Sequence, residues 1–252
     1  MGKNLKVPKK INVETSHDIK LELDVRCQEL IRRKLHRAFP EISLLGEEGI
    51  SGATDAEYRW VVDPIDGTVN FAYGIPHASV SIALQARSEK CEMRSERLRN
   101  GWQTNRYETL IGVVYDPFQN ELWTAIRGQP ARLNGRIIQV SRRRDLAQCI
   151  VSIGFAKSRE SLERALPYFI WLARRVRKIR MLGSAALGLT YVATGRFDAY
   201  IERGISTWDI AAGGLIVECA GGKFWHEPTG APHKFRMIAS NGRVHRRLRP
   251  PV

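Results

Sequence analysis

The absences in this chain narrow its possibilities first. No apolar run approaches the ~20 residues that span a bilayer as a helix, so no transmembrane helix is predicted. Cysteine is scarce: Cys27, Cys91, Cys149 and Cys219 lie far apart and form no CxxC pair. That spacing argues against a disulfide framework or a sulfur-bound metal, and fits isolated thiols in a reducing compartment. The opening MGKNLKVPKKINVE is basic but has no apolar h-region. No secretory signal is read there, and a cytoplasmic location is expected. Disorder is not the default either, because 43% hydrophobic against 26% charged residues is the balance of a folded protein. At 252 residues the chain can build one large domain or two modest ones sharing an interface.

Negative charge is also short. There are 26 acidic residues against 40 lysines and arginines, a net charge of +14. The excess clusters at Arg142-Arg143-Arg144, in RRVRKIR from Arg174 to Arg180, and in RVHRRLR from Arg243 to Arg249. Such runs serve as solvated faces or as a field for anionic partners, from small phosphates to nucleic acid or acidic membranes.

Periodicity predicts a mixed α and β chain. Leu23, Cys27, Leu30, Ile31, Leu35 and Ala38 recur at helical spacing, and Pro40 closes that helix. Ile42 to Leu45 reads as a short strand entering Gly46-Glu47-Glu48-Gly49, and Trp60 to Val62 and His77 to Gln85 as two more. Leu110 to Tyr115 and Glu121 to Ala125 suggest a hairpin, and Asn134-Gly135 a tight type I′ turn. From about Arg87 to Glu108 there is no clean period, and this stretch reads as an inserted loop or hairpin tip. Near Ser141 the rhythm turns to alternating strand and helix. Strands are expected at 149–153, 178–182 and 197–201, with two closing strands near 223–225 and 235–239. Helices are expected at 162–176, with Pro167 a kink or late start, after the capping Ser184, and at 208–220. Two halves are expected, an α+β half over 1–140 and an α/β half over 141–252.

The chemistry concentrates in WVVDPIDGTVNF, from Trp60 to Phe71. An apolar strand ends in Asp63 and Asp66 on a loop stiffened by Pro64. Two carboxylates aimed into one small volume repel, so one takes a proton or a cation sits between them. A hard divalent ion with oxygen ligands suits them, and Mg²⁺ is the common choice at phosphate sites. Gly67 and Thr68 then open a possible helix whose first N–H groups, with the Thr68 hydroxyl, suit a phosphate. Glu47-Glu48 place acids at another strand exit, and Asp209 lies in the first turn of a small-residue helix. Taken singly, these are a polar turn and a helix-dipole contact; together they point to one shared site.

WVVDPIDGTVNF followed by PHASVSIAL resembles the first signature of the inositol monophosphatase family of metal-dependent phosphatases. ISTWDIAAGGLIVECAGG resembles its second signature, and LLGEEG its upstream glutamate motif. The likeness keeps order and spacing from about Val13 to Asn241, and DPIDGT paired with WDIAAG is a highly specific combination. It implies the layered α-β-α-β-α sandwich of sugar phosphatases, with the metal site between two halves. It implies two or three Mg²⁺ ions held by Glu47, Asp63, the Ile65 carbonyl, Asp66 and Asp209. Thr68, supported by Asp24, is implied to orient the attacking water, with Glu47 beside it in the catalytic set. The N–H groups of Gly67 and Thr68 are implied to hold phosphate oxygens. Asp66, Ala185, Glu202 and Asp209 are implied to bind the substrate, with Ala185 lining its pocket and Glu202 accepting from polyol hydroxyls on the alcohol side. His77 is read as a core-edge residue. The resemblance further implies lithium sensitivity and a homodimer.

The chain departs from that pattern in a short segment ahead of VETSHDIKLELD and in the 87–108 insertion. Val13 and Leu21 also stand where the family tends to have a lysine and a threonine. The leading expectation is a Mg²⁺-dependent phosphomonoesterase for inositol monophosphate or a similar small polyol or sugar phosphate. Substrates such as 3′-phosphoadenosine phosphate, fructose bisphosphate or histidinol phosphate are the alternatives within the superfamily. A nucleic-acid role on the basic surface is a different class of expectation, raised by the charge but not favoured, because the acidic set suits no phosphate backbone. No membrane partner is expected.

Overall fold

Period-two burial along the strands sorts the chain into layers. The computed structural model describes residues 1, 5, 10–14, 19–88, 107–154 and 159–248. Most of the expected insertion, from 89 to 106, lies outside these residues.

The larger sheet has eight strands: β3 (Ser43–Gly46), β4 (Gly49–Ser51), β5 (Tyr58–Asp66), β6 (Ser79–Arg87), β7 (Tyr107–Asp116), β8 (Glu121–Ile126), β9 (Arg132–Leu133) and β10 (Arg136–Ile137). Their order is β10-β9-β8-β7-β6-β5-β3-β4, antiparallel except where β3 runs beside β5. The smaller sheet has β11 (Ile150–Ile153), β12 (Lys178–Arg180), β13 (Ala199–Ser206), β14 (Lys223–Pro228) and β15 (Lys234–Ser240), in the order β12-β11-β13-β15-β14. A short pair, β1 (Ile11–Glu14) and β2 (Ile19–Leu21), precedes both.

Five α-helices are seen among the described residues: α1 (Glu22–Ala38), α2 (Thr68–Ala72), α3 (Arg159–Ala173), α4 (Ala185–Ala193) and α5 (Thr207–Cys219). α4 and α5 fill the space between the sheets. They contribute nearly continuous buried small and branched residues, which pack on Val61, Ala83 and Val114 of one sheet and on Tyr200, Met237 and Ala239 of the other. The alternate residues Ala199, Ile201 and Ile238 face the far side, where Tyr168 and Leu172 of α3 cover them. Ile31 and Leu35 of α1 cover Leu44, Trp60 and Val62 on the outer face of the large sheet. The order is therefore helix, sheet, helix pair, sheet, helix, the layered α-β-α-β-α sandwich that was expected. No described helix is long and apolar enough to cross a membrane.

Three local expectations are corrected. β5 does not stop at Val62 but pairs through Asp66. Of the two alternatives read at Pro167, the late start does not hold, since α3 begins at Arg159. Leu30, read as apolar-face, is half exposed at 50%. The turn at Asn134-Gly135 has both residues at positive φ, 48° and 80°, as a type I′ turn requires.

Candidate metal centre

A break in pairing lets β5 carry two carboxylates to one place. Asp63 pairs with Ser81 and Asp66 with Ser79, so three steps on β5 match two on β6. In an unbroken strand, residues three apart face opposite sides. The one extra residue of this bulge returns Asp66 to the side of Asp63. Pro64, with no N–H to lose from the ladder, sits inside it.

Gly67 follows at φ 92°, where a Cβ would lie 2.9 Å from the His77 carbonyl oxygen. A side chain is excluded there by backbone conformation and by space alike. α2 is too short to persist alone. Phe71, fully buried beside Leu21, Ile65 and Ala78, anchors it, a burial worth about 2–3 kcal/mol. Asn70 fixes the turn by donating from Nδ2 to the carbonyls of His77 (2.9 Å) and Leu182 (2.7 Å). His77 itself packs edge-on against Tyr191.

The third carboxylate arrives on α5. Asp209 Oδ2 accepts from the Ser206 N–H at 2.7 Å, the reach-back of a capping box. One oxygen from each of Asp63, Asp66 and Asp209 lies within 4.8 Å of the others. Asp63 and Asp66 are only 1% and 6% exposed, and Asp209 is half-buried.

Electrostatics follow from that crowding. Desolvation, then the charges of Glu47, Asp66 and Asp209, push the Asp63 carboxyl well above the usual carboxylate range. Burial and Asp209 raise Asp66 too, but only to about 6, because hydrogen bonds oppose the rise. Asp66 accepts from the Ala185 N–H (3.0 Å), the Ala186 N–H (2.9 Å), the Ser184 hydroxyl and, at 3.3 Å, the Ser79 hydroxyl. The first turn of α4 thus faces the acid cluster, which is a favourable end for an anion.

Hard oxygen donors, two of them stripped of water and resisting ionisation through burial and neighbouring negative charge, fit a hard divalent cation such as Mg²⁺. Glu47 lies outside the tight triad but close enough for its charge to act on Asp63. Its N–H donates to the Val62 carbonyl at 3.2 Å. The neighbouring Glu48 N–H is held by Gln28 Oε1 of α1 at 3.0 Å, so α1 sets the path of the β3 exit. The Ile65 carbonyl accepts the Thr68 hydroxyl at 2.8 Å, which leaves its second lone pair for another partner.

The other sequence expectations fall around this cluster. Thr68 has one hydroxyl proton and gives it to Ile65 rather than to Asp24. Asp24, 2% exposed, accepts the Leu21 N–H at 2.7 Å and closes the start of α1. Glu202, on β13, accepts the Tyr200 hydroxyl. Gly154 leaves room for it, since a Cβ there would fall 1.9 Å from Glu202 Oε2. Burial, then Glu202, and more weakly Asp66 and Asp209, raise the Tyr200 phenol well above its ordinary value. That pair therefore sits within electrostatic reach of the triad. Ser79, Ser184, Asn70, Tyr200 and the Ala186 N–H were not assigned from sequence as parts of the site. Asn70 and Ser79 carried a signal, being inside WVVDPIDGTVNF and PHASVSIAL.

Comparison with known proteins agrees with this geometry. The inositol monophosphatase family profile matches residues 2–91 and 104–250, passing over part of the insertion. Nus factor SuhB of Pasteurella multocida is 37% identical over 212 residues, 83% of this chain and 72% of that protein. Inositol-1-monophosphatase of Rhizobium meliloti is 37% identical over 216 residues, 84% of this chain and 73% of that one. Among solved structures, the extragenic suppressor protein SuhB from Bartonella henselae superimposes with a TM-score of 0.81 at 32% identity, covering 98% of this chain and 88% of its own. Inositol monophosphatase from Anabaena gives 0.76 at 36% identity, covering 89% and 83%. Matching profile, relatives and layered fold together show that this chain belongs to the inositol monophosphatase family.

Proposed function

We propose that the chain is a Mg²⁺-dependent phosphomonoesterase acting on inositol monophosphate or a similar small polyol or sugar phosphate. The observation that carries this reading is the convergence of Asp63, Asp66 and Asp209 within 4.8 Å, two of them buried, in a chain of this family. Glu47, Asp63, the Ile65 carbonyl, Asp66 and Asp209 would hold the ions. When bound, they supply Lewis acidity, spreading phosphoryl charge and acidifying water.

The chain's own groups orient the reactants. Gly67 and Thr68 present backbone N–H groups to phosphate oxygens, and the Thr68 hydroxyl directs water. Asp24 supports this indirectly, by fixing α1 beneath Leu21 and Ile65. Glu202, with Tyr200 as its hydrogen-bond donor, accepts from polyol hydroxyls, and Ala185 lines the pocket beside Asp66. Other small phosphomonoesters remain the alternatives for the alcohol side. We also propose a homodimer that is sensitive to lithium.

Phosphate release with inositol-1-phosphate, fructose-1,6-bisphosphate, phosphoadenosine phosphate and histidinol phosphate tests the reading. Activity is expected with Mg²⁺ and not with chelator. Asp63→Asn and Asp209→Asn should each lose at least roughly 100-fold. Full activity in both variants, or none in the wild type on any of these esters, overturns it.

A second reading has its own observation. A groove of about 990 Å³ is lined by Arg142, Arg144 and Arg243, and several relatives carry the name Nus factor SuhB. RNA binding on this face would weaken steeply with salt. A mobility-shift titration showing no binding near physiological salt discards it.

A further inference from the structure

Away from the carboxylates, a separate cavity of about 500 Å³ opens between the β3–β4 edge and the loop joining β14 to β15. Among its described lining residues are none of Glu47, Asp63, Asp66 and Asp209. Arg59, Arg87, His233 and Lys234 face it, against a single acid, Asp55, which is exposed. Among the described residues, neither Arg59 nor Lys234 has a carboxylate partner. The rest of the wall is largely apolar and includes Leu45 of β3 and Phe235 of β15.

Arg59 is held rigidly. Its guanidinium lies over the Tyr107 ring, 3.6 Å from the centroid. Nε and Nη2 both donate to Gln85 Oε1, at 3.0 and 2.8 Å. Gln85 is fixed in turn by donating to Thr109 Oγ1 at 3.0 Å. A guanidinium has five N–H donors, so most of this fork remains to be matched. Burial draws Arg59 down to about 10, still cationic at neutral pH. Burial, and after it the charge of Arg59, disfavours protonation of His233, which sets the two within reach of one another. Lys234 Nζ donates to Ser206 Oγ at 2.6 Å and keeps two further donors.

We propose that this cavity binds a metabolite-sized oxyanion, a compact apolar body bearing a phosphate or carboxylate, at a site distinct from the metal centre. A fixed guanidinium fork matches the planar or tetrahedral oxygens of such groups. The volume lies within the ~300–1,000 Å³ of small-molecule sites, and the apolar wall suits the body of the ligand more than a bare ion.

The test titrates the full chain, with Mg²⁺ present, calorimetrically with phenylphosphonate, whose P–C bond is not an ester. Wild type and Asp209→Asn should both bind it. Arg59→Met and Lys234→Gln should each weaken that binding roughly tenfold, with phosphomonoester hydrolysis unchanged in Arg59→Met. Methionine keeps apolar bulk over Tyr107, and Lys234→Gln, on a different strand, serves if the first variant does not fold. Phthalate in a parallel titration separates carboxylate from phosphate preference, and a response to either supports the site. Binding lost in Asp209→Asn but intact in both cavity variants overturns the proposal. So does inorganic phosphate binding as tightly as phenylphosphonate, or no binding of any of these anions.

Discussion

Asp63 is 1% exposed and beside three other acids, and burial and their charges resist its ionisation. In metal-free protein its charge opposes folding. Asp63→Asn should therefore raise the melting temperature in chelator while abolishing the gain that Mg²⁺ gives the wild type. Calorimetric melts with and without Mg²⁺ check this, and a lower chelator melting point in the variant counts against it. Tyr200 offers a subtler experiment. Tyr200→Phe removes the donor to Glu202, so KM for a polyol phosphate should rise roughly threefold to tenfold, with kcat nearly unchanged. A loss confined to kcat would place Tyr200 in the chemistry instead.

Among the elements, β5 and α2 form one unit whose shape depends on Gly67. Gly67→Ala puts a Cβ 2.9 Å from the His77 carbonyl at φ 92°. A cost of about 1–3 kcal/mol is expected, read as a lowered denaturation midpoint, with activity falling further because Thr68 is displaced. Much of this unit was readable from sequence, and the reasons for the rest are physical. Aspartate, proline and glycine are poor strand residues, so propensity alone ends the strand at Val62. Pairing with β6 overrides that propensity and creates the bulge. Pro167 reads as a kink or late start for the same kind of reason, and packing of Tyr168 and Leu172 on the small sheet carries α3 through it. The chemistry of Asp63, Asp66 and Asp209 was visible because their motifs are local. Ser184 and Ser79 were not assigned to the site because their contact with Asp66 is made by the fold, across 118 and 13 positions.

Across the folded protein, two sets of titrating groups pull stability in opposite directions. His226, stacked on Phe224 and edge-on to Phe235, is drawn down to about 4 from 6.5 by desolvation. The unfolded chain takes that proton first as pH falls. Its contribution is therefore intact above about 6.5 and is lost towards pH 4. His77, His233 and His245 are lowered by the same cause and add to the trend. Asp66 does the reverse. Raised from 3.8 to about 6, it favours folding below 3.8 and loses that contribution as pH rises through 6. His226 is partly buried as a residue, and its effect and that of Asp66 are each of the order of 1–3 kcal/mol. A bound divalent ion favours the charged carboxylates and removes the second trend. Melting temperature between pH 4 and 6.5 should thus climb more steeply in Mg²⁺ than in chelator. Parallel slopes would show that the acids are not crowded as described.

The bulge in β5 makes chain length, and not only composition, a condition of the site. Three steps on one strand against two on its neighbour is a count, and removing a single residue between Asp63 and Asp66 restores an even register. Deleting Ile65 should leave both aspartates on one face of an unbroken strand, two residues apart, while removing the bulge and with it the carbonyl between them and the bend that leads into Gly67 and Thr68. A substitution there can be absorbed by a neighbouring side chain; a change of count cannot.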